Sequence, residues 1–354
     1  MGISKKEQTQ TAGDFALQNQ FENLNNCNVT INDKDLIRAI ATEVCSKEML
    51  NVYRTCTQDA IELANKRDNM FAQIFIPRIE RIESSIESLK DPSFQFMIQD
   101  ARETAVKTDR EEDWQLLSEL LSYHVLKGDD KKIDAGISHA IKIVDEIDND
   151  ALCALTTACA FEWYSAITGS IRKGLSVLND LYEKLLYLEL PKGVGWLDHL
   201  DMLGAVRISS FNLIKSKEYI CSYYEGYACV GLLKGSEEII KAYKILDDNH
   251  ISHDVLENNE CIDGYLRLSY SKLSNVRSEC KDIVLQILNL YSKDKSLIEK
   301  AKNGFIELWD SYDNLRIIRE WWDQIPKGFE VSYIGRVLAQ TNAKRVYPLS
   351  PDII

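Results

Sequence analysis

The chain has 354 residues, 45% hydrophobic and 27% charged, and its 42 Lys and Arg against 55 Asp and Glu leave a net charge of −13. With a mean hydropathy of −0.25, these values exclude a collagen, a low-complexity polymer and a wholly disordered chain. The negative charge argues against nonspecific nucleic-acid binding, which needs cations to displace counterions, and against an anionic membrane surface.

No uninterrupted apolar run approaches the ~20 residues of a bilayer span. The start, MGISKKEQTQTAGD, has no apolar segment, so no secretory signal is expected, and Lys6 stands where a myristoylation motif wants Ser or Thr. The nine cysteines are odd in number, scattered and without a CxxC pair, which reads as a reduced, cytoplasmic protein.

Residues 1–32 are rich in Gln, Asn and Thr. Phe15, Leu17 and Phe21 fall on odd positions, and Cys27, Val29 and Ile31 alternate with Asn and Thr. Period two is the strand signal, and Glu22 to Asn25 makes a turn between two strands. Two strands alone are marginal in water. The segment is therefore either a polar disordered tail or a β hairpin that pairs with copies of itself or with a partner.

A helical pattern runs over 33–90 as a stalk or long hairpin, interrupted only by Pro77, which should kink or divide it. Asp91-Pro92 starts the helical body, 91–325. Its helices are expected at 93–107, 109–127, 131–147, 149–168 and 171–190, then two across 196–232, and at 236–248, 262–274, 276–292 and 294–324. The run ALCALTTACAF should lie in the most buried of these helices. The tail, 326–354, reads as a strand at Phe329 to Val331, a helix from Tyr333 to Lys344 capped by Ser332, and a second strand at Val346-Tyr347. The fold class is thus mainly α: an antiparallel multi-helix array with an N-terminal β hairpin and a small strand–helix–strand tail.

Few patterns carry chemistry. There is no GxxxxGK[ST], GxGxxG after a strand, GxSxG or HExxH, and no Arg is followed by His at four to six residues. His250, His253 and Cys261 offer zinc-ligand chemistry in a polar segment, but without a fourth ligand nearby or a standard finger spacing. Zinc is accordingly the only cofactor to consider, and a surface loop with two His is the plainer reading. Trp309, Tyr312, Trp321 and Trp322 form an aromatic group that serves either as a partner groove or, at this helical spacing, as core.

Several blocks carry a resemblance: Gln8 to Asp14, Asn28 to Ile31, Asp91 to Phe96, Ala105 to Leu121, His199 to Ile208, Tyr224 to Gly235 and Val331 to Asn342. Together they resemble an uncharacterised bacterial family of about this length, with a Gly-Asp/Gln/Asn-rich N-terminal β segment and a helical body. The resemblance implies an association with phage defence and supplies no catalytic motif. Members tend to end in a hydrophobic strand with Trp, whereas this chain ends Pro348-Leu349-Ser350-Pro351-Asp352-Ile353-Ile354.

The expectation is a non-enzymatic oligomeric sensor or scaffold. It would assemble through Phe15, Leu17, Phe21, Cys27, Val29 and Ile31 and bind a phage or host protein, with no nucleic acid and no resting membrane contact. The rival readings are a metal-dependent nuclease that uses the His250/His253/Cys261 loop once assembled, and a membrane-disrupting toxin that exposes residues 149–168.

Overall fold

A computed structural model describes residues 37–40, 42–43, 58–127 and 130–353. The expected β segment, with Phe15, Leu17, Phe21, Cys27, Val29 and Ile31, lies outside the described residues. The chain divides into two units, Met1–Gly128 and Asp129–Ile354. Among the described residues it is mainly α, with only small antiparallel sheets.

The first unit holds α1 (Gln58–Ile79), α2 (Ser85–Lys90), α3 (Pro92–Lys107) and α4 (Glu111–Lys127). Pro77 withholds a backbone donor from α1, which ends two residues later at Ile79. The α1 face that packs against α3 and α4 buries Ala64, Phe71, Phe75 and Ile79, and also Asp68. Arg102 of α3 meets that carboxylate with two hydrogen bonds, Nε to Oδ1 at 2.6 Å and Nη2 to Oδ2 at 2.5 Å. The start of α3 is set by Pro92 in its first turn and by the Asp91 carboxylate, which accepts from Ser93 N at 2.9 Å.

The second unit begins with α5 (Lys131–Ile143), α6 (Asn149–Trp163), α7 (Ile171–Leu185), α8 (Gly195–Met202), β1 (Val206–Ile208) and α9 (Ser216–Tyr223). It continues with β2 (Leu232–Leu233), α10 (Glu237–Asp248), β3 (Leu256–Asn258), β4 (Tyr265–Leu268) and α11 (Lys281–Leu288). It ends with α12 (Lys295–Asp310), α13 (Asp313–Gln324), β5 (Phe329–Val331) and α14 (Tyr333–Val346). As its mostly apolar sequence demands, α6 is the buried helix: every residue from Ala151 to Phe161 is inside, and α14, α7 and α8 pack around it. β1 pairs antiparallel with β5, Val206 opposite Val331, and β2-β4-β3 form a second antiparallel sheet against which Ile239, Ala242, Leu246 and Ile287 pack.

The structure corrects several expected elements. The helix expected over 262–274 is β4 followed by a short 3-10 turn, because residues 265–268 pair with β2 on one side and β3 on the other. The two helices expected across 196–232 are α8 and α9, separated by β1, which finds its partner at 329–331. In the tail the first strand and the capped helix form, Ser332 Oγ accepting from Gly335 N at 3.1 Å. The second strand does not form: Val346 stays helical, and Tyr347 N closes the last turn on Ala343 O at 2.8 Å.

Candidate functional site

The late aromatic group lies in the core. Trp309, Trp321 and Trp322 are 2%, 6% and 3% exposed. Each indole donates to a main-chain carbonyl: Trp309 to Leu315 at 2.8 Å, Trp321 to Pro191 at 3.0 Å and Trp322 to Ile214 at 3.0 Å. The rings pack on Phe161, Trp196, Phe305 and Tyr224 rather than lining an open face. Tyr312, half-buried, donates to Arg172 O at 3.2 Å.

The three zinc candidates are held apart by separate structural tasks. His250 takes the left-handed conformation at φ 57° that ends α10, and Ile251 N then reaches back to Leu246 O at 2.9 Å. His253 stacks on Tyr243, centroids 4.4 Å apart, with Nε2 2.7 Å from Asp247 Oδ1. Cys261 is buried and its Sγ lies 3.4 Å from Tyr227 O. Burial raises its thiol to about 12. Among the described residues, no three His, Cys, Asp or Glu side chains gather as a metal group.

The chemistry that the sequence reading passed over sits at the C-terminal end of α6. A helix end leaves carbonyls without intrahelical donors. Two tyrosines of α9 supply them here: Tyr219 OH donates to Glu162 O at 3.0 Å and Tyr223 OH to Trp163 O at 3.4 Å. The tyrosine rings stack on each other at 5.6 Å. Arg336, in the first turn of α14, holds its guanidinium 5.5 Å from the Trp163 ring centroid, and Lys272 Nζ lies 3.8 Å from that of Tyr223. Glu162 is half-buried at this helix end. Burial raises its carboxyl to about 7, against the opposing pull of Arg336. A carboxyl that titrates near neutrality marks a candidate functional group. The sequence did carry a signal for it, since Glu162 is the only charged residue between Asp150 and Arg172. Arg336, whose charge opposes that rise, is too distant along the chain for any spacing rule to link the two.

The described residues of the second unit line clefts at two places. One, of about 460 Å3, lies beside the start of α6 between Asp148, Asp150, Pro191 and Trp196. Asp148 N donates to His199 Nε2 at 3.2 Å. The other, of about 300 Å3, lies between residues 212–215 and 322–326. Among the described residues no helix is long and apolar enough to cross a membrane.

Comparison with known proteins gives one match. A family model described as ":-like" matches residues 31–353. Neither the curated proteins nor the solved structures give a match. Because the family match spans most of the sequence, the chain belongs to the ":-like" family.

Proposed function

We propose that this protein is a non-enzymatic oligomeric sensor or scaffold in bacterial anti-phage defence, assembled through its N-terminal β segment and binding a protein partner. The observation that carries the assembly is the period-two alternation of Phe15, Leu17, Phe21, Cys27, Val29 and Ile31 ahead of a mainly helical chain. Alternation of this kind gives a strand one apolar face. A pair of such strands needs further strands to be stable, and copies of the same chain supply them with register already matched. Partner binding is supported by apolar side chains held out to solvent near the 300 Å3 cleft, where Phe211 is 81% and Ile214 60% exposed. The defence setting rests on the resemblance alone.

The test is phage plating on bacteria that express the full chain, the Phe21→Asp/Val29→Asp variant or Phe211→Asp. Plating should fall with the wild-type chain and recover with the double variant, because a charge on the apolar strand face prevents pairing. Recovery with Phe211→Asp would place the partner at the cleft. Equal plating with the wild-type chain and with empty cells contradicts the defence role.

A further inference from the structure

We propose that the cleft between residues 212–215 and 322–326 receives an acidic peptide segment of another protein. An apolar side chain of that segment seats on Phe211 and Ile214, and its carboxylates face Lys215 and Lys327. The proposal rests on the reading above that a protein partner binds at this cleft, and it names the chemistry of that partner.

The loop that carries Phe211 and Ile214 is tied down along its length. Phe211 N donates to Ser209 Oγ at 3.1 Å, and Phe211 O accepts from Gly328 N at 2.9 Å. The two backbones come so close that a Cβ at residue 328 would lie 2.2 Å from Phe211 O. Trp322 Nε1 donates to Ile214 O at 3.0 Å, and Asp323 accepts from both Ser216 N and Ser216 Oγ, at 2.8 Å and 2.7 Å. These bonds fix the main chain and still leave the Phe211 and Ile214 side chains 81% and 60% exposed. Pro326 is exposed on the facing wall. Apolar anchors held in place before binding lose little conformational freedom when a partner covers them.

The charge at the cleft is opposite to that of the chain, which is −13 overall. Among the lining residues Asp323 is the one acid. Its oxygens are taken by Ser216, with Arg319 Nη1 3.8 Å away. Lys215 lines the cleft, its Nζ donating to the Asp323 main-chain O at 3.2 Å, and Lys327 follows Pro326 at the edge. Both lysines are exposed, and among the described residues neither pairs with a carboxylate. Two uncompensated cations beside two apolar anchors select a segment with Asp or Glu next to an aromatic or aliphatic residue. A second copy of this chain carries the same large negative charge and is repelled at range.

The test is a random peptide library displayed on yeast and selected on the full chain, with the Phe211→Asp chain as a parallel target. The sequences enriched on the wild-type chain should place Asp or Glu beside Phe, Leu or Ile. Made as a synthetic peptide, the most enriched sequence should bind Phe211→Asp about 30-fold more weakly, as expected of a central anchor. It should bind Lys215→Glu/Lys327→Glu about 5-fold more weakly, with a difference that shrinks as salt is raised. Basic or uncharged sequences whose binding is lost in Phe211→Asp overturn the acidic partner and leave the cleft as a docking site. No enrichment, or the same enrichment on both chains, overturns the proposal and the cleft reading together. A solution mass that falls to that of the monomer in Phe211→Asp gives the cleft to a second copy and overturns the proposal as well.

Discussion

Each unit buries an arginine, and each neutralises it differently. In the first, Arg102 is 4% exposed and lies among helices, where it meets a carboxylate, Asp68, in two-point contact. In the second, Arg267 is 1% exposed on β4, and its partners are main-chain carbonyls. It donates to Gly226 O at 3.2 Å, Leu268 O at 2.8 Å, Tyr270 O at 3.4 Å and Gly169 O at 2.5 Å. Glu257 stands 3.7 Å away, its side chain 40% exposed. The difference follows from the backbone. A helix interior spends its carbonyls on its own ladder, so a cation buried between helices needs an acid. Turns and short strands leave carbonyls free to take the place of water around a guanidinium.

The largest effects should come from removing these partners. Asp68→Asn leaves the Arg102 charge uncompensated and should cost about 3–5 kcal/mol in urea unfolding followed by circular dichroism. Replacing both partners, Asp68→Leu with Arg102→Met, should recover most of that loss, since well-packed apolar pairs replace buried ion pairs at little cost. Arg267→Met should cost on the order of 3 kcal/mol by orphaning several buried carbonyls. Adding Glu257→Gln should not restore it. Rescue there would mean that Arg267 is an ordinary ion pair and would erase the contrast.

A smaller loss is expected at Gly231, where φ is +83° and an added Cβ would lie 2.1 Å from Leu266 O. Gly231→Ala should destabilise the β2–β4 pairing by about 1–3 kcal/mol, seen as faster amide exchange at residues 265–268. Ser332→Ala removes a helix cap and should cost about 1 kcal/mol. The smallest change is a pH slope. Because the Glu162 carboxyl is raised to about 7 in the fold, its contribution to stability is complete below its ordinary value near 4.5 and is lost as pH rises through 7. Glu162→Gln should flatten that part of the melting temperature against pH, while an unchanged slope would mean that the carboxyl titrates elsewhere.

The sequence announced helices where local chemistry sets them. Asp91-Pro92 and Ser332 mark starts that the structure uses, and ALCALTTACAF marks the buried helix. The strands were harder. Tyr265 to Leu268 is too short for a periodic signal, and its identity is decided by Leu232, Leu233 and residues 256–258. The tryptophan group was visible as a group, but only the structure shows its rings in the core. Glu162 was visible as a lone carboxylate in an apolar stretch, although its raised proton affinity comes from burial that only folding supplies, opposed by the charge of Arg336.

The account stands or falls on assembly, and the most direct measurement is the solution mass of the full chain beside Phe21→Asp/Val29→Asp. The account predicts a defined multiple of 40.5 kDa for the wild-type chain and a folded monomer for the variant. A wild-type chain that is monomeric at every concentration would contradict it, as would a variant that assembles to the same mass.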